Sequence, residues 1–128
     1  MALRKNLQIL IADDMAVSRQ ILEQLLEQLG VTTVRTAANR AEAIASLERH
    51  PADMIIADLH MPGLNGFQLL QRLRNDRRHC QMGFVLTSGD EDNPAITEAW
   101  HHGLDRFLAK PFDQEKLVSC LEAVAGRI

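Results

Sequence analysis

The stretch Met54-Ile55-Ile56-Ala57-Asp58 sets the fold class: four apolar residues in a row stop at an acid. A run that short and that uniformly apolar reads as a strand buried on both faces of a parallel sheet. The segment just after it, Met61-Pro62-Gly63-Leu64-Asn65-Gly66, is dense in turn formers. The same alternation repeats outward in both directions. Toward the N-terminus, Leu7 to Ala12 is apolar apart from Gln8 and ends at Asp13-Asp14, and Val31 to Thr36 is a short β-branched strand. Toward the C-terminus, Phe84 to Leu86 runs into Thr87-Ser88-Gly89, and Arg106 to Ala109 runs into Lys110-Pro111.

Helix-period stretches separate these strands. Val17, Ile21, Leu25 and Leu29 recur every four residues, with Leu22 and Leu26 widening the stripe. This predicts a helix that buries that row, closed by Gly30. Asn39 and Glu42 form a capping pair for a second helix carrying Ala43, Ile44 and Leu47, stopped by His50-Pro51. Phe67, Leu70 and Leu73 mark the third helix. Pro94 suits the first turn of the fourth, which Gly103 ends, and Asp113 caps a fifth that buries Leu117, Val118, Leu121 and Val124. Five strands alternating with five helices imply an α/β fold: a (βα)5, doubly wound, five-stranded parallel sheet covered on both faces.

Composition narrows the function classes. Hydrophobic residues make up 46% and charged residues 24%, enough apolar mass for a core and too little bias for a disordered chain. Net charge is −3 with scattered Lys and Arg, so there is no basic footprint for nucleic acid and no polybasic patch for a membrane. No apolar run reaches the ~18 residues of a membrane span, and the first residues lack a signal-peptide core. Cys80 and Cys120 match no zinc or redox spacing and are expected as reduced thiols. A cytoplasmic protein is the expectation. No linker, repeat or low-complexity stretch divides residues 1–128, which are expected to form one domain.

Ligands of open parallel sheets bind outside the carboxyl ends of the strands. The residues following each strand are therefore the candidates: Asp13 and Asp14, Asp58, Thr87 and Ser88, and Lys110. Carboxylates crowded on one rim repel by up to ~4 kcal/mol per pair at ~4 Å and an effective dielectric of ~20. Mg²⁺ suits such a set, because it takes few carboxylates, keeps waters and leaves room for phosphate oxygens. Lys110 can neutralise further charge and meet a phosphoryl oxygen, and Thr87 can donate to another. A carboxylate attacking a phosphoryl donor gives an acyl phosphate. Asp13 and Asp14, adjacent at one strand end, make the better metal clamp. Asp58, alone on the third strand, makes the better acceptor.

Taken together, Ile11-Ala12-Asp13-Asp14, the Asp-x-x-Met-Pro-x-x-x-Gly segment from Asp58 to Gly66, Thr87-Ser88 and Lys110-Pro111-Phe112 resemble the response-regulator receiver family, the single-domain chemotaxis CheY type included. The resemblance spans Leu7 to about Val124 and implies a flavodoxin-like, CheY-like domain. It implies that Asp58 accepts phosphate from a sensor histidine kinase or a phosphotransfer protein in a Mg²⁺-dependent step. Asp13, Asp14, Asp58 and the His60 backbone carbonyl would hold the ion, Asp14 directly and Asp13 partly through water. Thr87, Ser88 and Lys110 would meet the phosphoryl group, with Lys110-Pro111 as a cis peptide. Phe107 falls at the switch aromatic, so that phosphorylation would alter the face of the fourth helix, fifth strand and fifth helix toward a downstream protein target. His60 departs from the usual occupant two residues after the acceptor, and Gly89 supplies no side chain to steer an attacking water.

Such a chain is a signalling module, not an enzyme beyond its own phosphorylation and dephosphorylation. With no output domain in the sequence, its effect is expected in trans; a phosphorelay intermediate, a phosphate sink or the receiver portion of a larger regulator is the alternative. A haloacid-dehalogenase phosphohydrolase would carry a second Asp where His60 stands, and a flavin binder would need a phosphate-cradling loop in place of Asp13-Asp14-Met15. Trp100 lies at the edge of the stripe formed by Ile96, Ala99 and Gly103. Partial core packing and a partner anchor are both open for it.

Overall fold

The computed structural model describes residues 6–61 and 65–128. The strands are β1 (Gln8–Ala12), β2 (Thr33–Ala37), β3 (Met54–Asp58), β4 (Gly83–Ser88) and β5 (Arg106–Ala109). They alternate with α1 (Ala16–Gln28), α2 (Arg40–Arg49), α3 (Gly66–Arg74), α4 (Pro94–His101) and α5 (Gln114–Arg127). All strand pairs are parallel and the order is β2-β1-β3-β4-β5, as the alternating pattern predicts. The chain reverses its direction of sheet growth between β1 and β3, which opens a crevice at the carboxyl ends of those two strands.

The pleat sorts side chains into two cores. Ile9, Ile11, Met54, Ile56, Val85 and Leu108 pack with Leu22 and Leu26 of α1 and Leu117, Leu121 and Val124 of α5. Leu10, Ala12, Ile55, Ala57, Phe84 and Leu86 pack on the other side with α2, α3 and α4. This alternation carries to the strand ends and the residues just beyond them. Asp13, Asp58, Thr87 and Lys110 continue the first set, the α1/α5 face, while Ser88 continues the second.

Four elements depart from expectation. In α5, Cys120 is buried, while Val118, expected in the core, is only partly covered. In α1, Leu22 and Leu26 are the buried residues, Leu25 and Leu29 pack partly, and Val17 and Ile21 are 63% and 50% exposed. The helix is turned so that the widening row, not the four-residue row, lies deepest against the sheet. Strand β2 begins at Thr33, not Val31, because the Val31 amide donates to the Leu26 carbonyl at 3.0 Å while Gly30, at φ 88°, donates to Glu27. This helix-terminating pair of bonds commits Val31 to α1's end. Strand β4 is longer than expected at both ends, since Gly83 pairs with Met54 and Thr87 with Asp58.

The helix starts follow their caps. Asn39 accepts from the Glu42 amide at 2.9 Å, while the Glu42 side chain turns back to Ala38. Asn65 and Gln68 form a complete reciprocal box, and Asp113 accepts from the Lys116 amide. Residues 62–64, inside the expected turn-rich loop, lie outside the described residues.

Candidate functional site

Asp13 is held from four directions. Its amide donates to Ala37 at 3.0 Å, and its carbonyl accepts from Arg19 Nη1 at 2.7 Å. Its Oδ1 accepts from the Met15 amide at 2.9 Å, and its Oδ2 from Lys110 Nζ at 3.2 Å. The residue is 1% exposed. Asp14, next in the chain, is exposed. Asp58 ends β3, buried, and its Oδ1 lies 3.4 Å from the His60 amide. Its Oδ2 lies 3.4 Å from Lys110 Nζ, so one ammonium serves two buried carboxylates. Carboxylate oxygens of Asp13, Asp14 and Asp58 all lie within 4.8 Å of one another.

The close packing under Asp58 rests on a glycine. A Cβ at Gly66 would lie 2.5 Å from the Asp58 carbonyl oxygen and 2.7 Å from Leu86 Cδ1. Only a residue without a side chain lets the first turn of α3 approach there, where the Gly66 amide donates to the Leu59 carbonyl at 2.9 Å. Leu59 in turn donates to Thr87 at 2.8 Å, tying the ends of β3 and β4.

Burial pushes the Asp58 carboxyl above its usual range; Lys110 pulls it back, the neighbouring Asp13 adds to the rise, and the His60 amide lowers it. The site therefore has more negative charge than its one ammonium neutralises. Three carboxylate oxygens within 4.8 Å of one another are the hard, anionic donor set that suits a small divalent ion such as Mg²⁺, close to the spacing that one shared ion requires. Among the described residues this is the one group of three or more His, Cys, Asp or Glu side chains close enough to share an ion.

The rim brings most of the expected residues together and separates two. Thr87 is buried on the Asp58 side, directly across the β3–β4 register. Ser88 falls on the opposite side of the pleat, and its hydroxyl accepts from the Asp90 amide at 2.9 Å. Phe107 packs, partly buried, against the α2/α3/α4 core. The Lys110-Pro111 peptide is cis. The His60 side chain is exposed, and a Cβ at Gly89 would meet nothing within 4 Å, so the approach to Asp58 is not crowded from these two positions. Trp100 is 44% exposed and stands outside both cores. His102, exposed at the end of α4, meets the Phe67 ring edge-on at 5.3 Å, and its Nδ1 lies 2.8 Å from the Glu98 carbonyl. Sequence reasoning missed Arg19, whose only signal is a cation six residues after Asp13, one turn into α1.

The profile of the response regulator receiver domain matches residues 9–122. The chain belongs to this family. It is 30% identical over 122 residues to the chemotaxis protein CheY of Pseudomonas aeruginosa, covering 95% of this chain and 98% of that protein. Its fold matches the chemotaxis protein CheY4 of Vibrio cholerae with a TM-score of 0.86 at 28% identity, over 93% of this chain and 98% of the other. The receiver domain of the sensor histidine kinase PA1611 from Pseudomonas aeruginosa matches with a TM-score of 0.85 at 25% identity, over 94% and 98%. That domain carries a magnesium ion coordinated in its active-site cleft. No helix among the described residues of the present chain is long and apolar enough to cross a membrane.

Proposed function

We propose that Asp58 is the phosphoacceptor of this receiver domain, and that residues 1–128 act as one signalling unit in the cytoplasm. The observation that carries the reading is the sharing of Lys110 between Asp13 and Asp58, at 3.2 and 3.4 Å, beside the exposed carboxylate of Asp14. Such a site is short of positive charge and open on one side. Asp13, Asp14, Asp58 and the His60 carbonyl would hold Mg²⁺. When bound, the ion supplies charge neutralisation for the carboxylates and for the incoming phosphoryl oxygens.

An Asp58 carboxylate oxygen attacks the phosphorus of a donor phosphohistidine. The P–O bond to Asp58 forms as the P–N bond breaks, and the imidazole leaves with the bonding pair. Lys110, already within 3.4 Å of Asp58, follows the charge onto the phosphoryl group, and Thr87, across the register from Asp58, donates to a second oxygen. Ser88 contributes through β4 rather than by its hydroxyl, which is engaged by Asp90. Drawing Thr87 inward loosens the packing of Phe107 and alters the α4-β5-α5 face, where Trp100 offers an exposed anchor to a downstream protein. Met15, Val17 and Ile21, exposed around the acid cleft, suit a phosphodonor protein, because any donor must reach Asp58 through this rim.

The test is intact mass after incubation with acetyl phosphate. One phosphoryl group is expected on the wild type with Mg²⁺, none with a chelator and none on Asp58→Asn. Labelling that survives Asp58→Asn would remove Asp58 from the acceptor role.

A further inference from the structure

The three carboxylates of the cleft are not held alike. Asp13 is fixed by the Met15 amide and Lys110, and Asp58 by the His60 amide and Lys110. For the carboxylate of Asp14, no hydrogen bond or ion pair is found among the described residues, and the residue is exposed. A metal ligand on an exposed aspartate loses affinity unless something restricts where its carboxylate lies. The restriction here comes through the main chain. The carbonyl of Asp13 and the amide of Asp14 belong to one rigid peptide plane. That carbonyl accepts a short, charge-assisted bond from Arg19 Nη1 at 2.7 Å. At its other end Asp13 is pinned to β2 by its amide bond to Ala37. With both sides of Asp13 fixed, the direction in which Asp14 leaves the backbone is set.

We propose that Arg19 is a positioning residue for the divalent-cation site: it orients the Asp13–Asp14 peptide plane and thereby places the Asp14 carboxylate. The inference rests on the reading of Asp13, Asp14 and Asp58 as a Mg²⁺ site. Arg19 makes no ion pair among the described residues, so its bond to the carbonyl is not a by-product of pairing with an acid.

Simple electrostatics predicts the opposite sign, which makes the proposal testable. If Arg19 were only a nearby positive charge, removing it would strengthen the binding of a cation. If it positions Asp14, removing it weakens binding, by the ~10-fold or more typical of residues that orient a metal ligand. Calorimetric titration of Mg²⁺ into the unphosphorylated protein reads this directly, alongside the melting temperature in chelator. Arg19→Met is expected to bind Mg²⁺ ~10-fold more weakly while remaining folded, with a single cooperative melting transition in chelator. Arg19→Lys, which keeps the charge and one donor, is expected to recover most of the loss. Should Arg19→Met not fold, Arg19→Gln, too short to reach the carbonyl, replaces it with the same expectation. Equal or tighter binding by the neutral variant, or no recovery by Arg19→Lys, overturns the proposal while leaving the metal site standing. Absence of Mg²⁺ binding by the wild type removes the metal reading itself, and this inference with it.

Discussion

The two ends of the sheet carry charge in opposite ways. At the carboxyl end, three acids share one ammonium, at 3.2 and 3.4 Å from two of them. At the amino end, one acid lies between two guanidiniums. Asp105 pairs with Arg74 at 3.1 Å and with Arg127, and it also accepts from the Phe84 amide at 2.8 Å. Arg74 spends its remaining donors on the carbonyls of Gly103, Cys80 and Met82, the last at 2.6 Å, and Arg127 donates to Gln81. That cluster ties together the ends of α3 and α5 and the starts of β4 and β5, with every strong group partnered. A satisfied network holds a fold in one arrangement. An unsatisfied one stores a demand for a ligand. The molecule is thus clamped at one pole and left chemically open at the other.

Breaking the clamp is expected to have the largest effect on stability. Asp105→Ala leaves the largely buried Arg74 guanidinium facing the more exposed Arg127 and the Phe84 amide unpaired. A loss of ~3 kcal/mol is expected, read as a fall in the urea midpoint; a loss below ~1 kcal/mol would mean that the cluster behaves as an ordinary surface pair.

At the open pole the sign reverses. Burial raises the Asp58 pKa in the folded state, so the ionised carboxyl subtracts stability once pH exceeds that raised value, and subtracts nothing below its unfolded pKa. Asp58→Asn is therefore expected to melt above the wild type at pH 7 in chelator, with the gap closing as pH falls through the carboxylate range. Adding Mg²⁺ should invert the order. At ~100 times its Kd a ligand adds ~2.7 kcal/mol to the protein that binds it, and the wild type binds with one more carboxylate than the variant. An Asp58→Asn protein no more stable than wild type in chelator would show that Lys110 already compensates the cleft.

The smallest stability effect is expected at Trp100. Its side chain is 44% exposed and outside both cores, so Trp100→Ala should shift stability by under ~1 kcal/mol. Phosphorylation measured by intact mass should be unaffected, while capture of the downstream protein by the beryllofluoride-loaded domain should fall strongly. Loss of phosphorylation in step with binding would assign Trp100 to the fold and not to a partner.

The open pole was far more legible in the sequence than the clamped one. Short apolar runs give strand ends directly, and the period of two carries Asp13, Asp58, Thr87 and Lys110 onto one face once the strands are parallel. The same arithmetic separates Ser88 from Thr87, although the adjacent pair reads as one hydroxyl site in the sequence. Arg74 and Asp105 lie 31 residues apart, and neither sits in a periodic pattern. Long flexible side chains find such partners only after helices and strands have docked.

The α1 stripe marks the boundary most clearly. Six apolar residues specify that a helix forms there and that part of it is buried, since their spacing is a local property of the chain. Which row faces the sheet depends on where the helix axis lies relative to β1, and that is settled by Leu22 and Leu26 packing with the strands and α5 while Val17 and Ile21 stay exposed. The sequence alone thus determined the strands, their order of chemistry and the acids at their ends, because these follow from residue type and period. Tertiary structure alone decided the helix rotation, the bond from Arg19 to Asp13 and the Arg74–Asp105–Arg127 clamp, because each depends on distances between elements that no local pattern encodes.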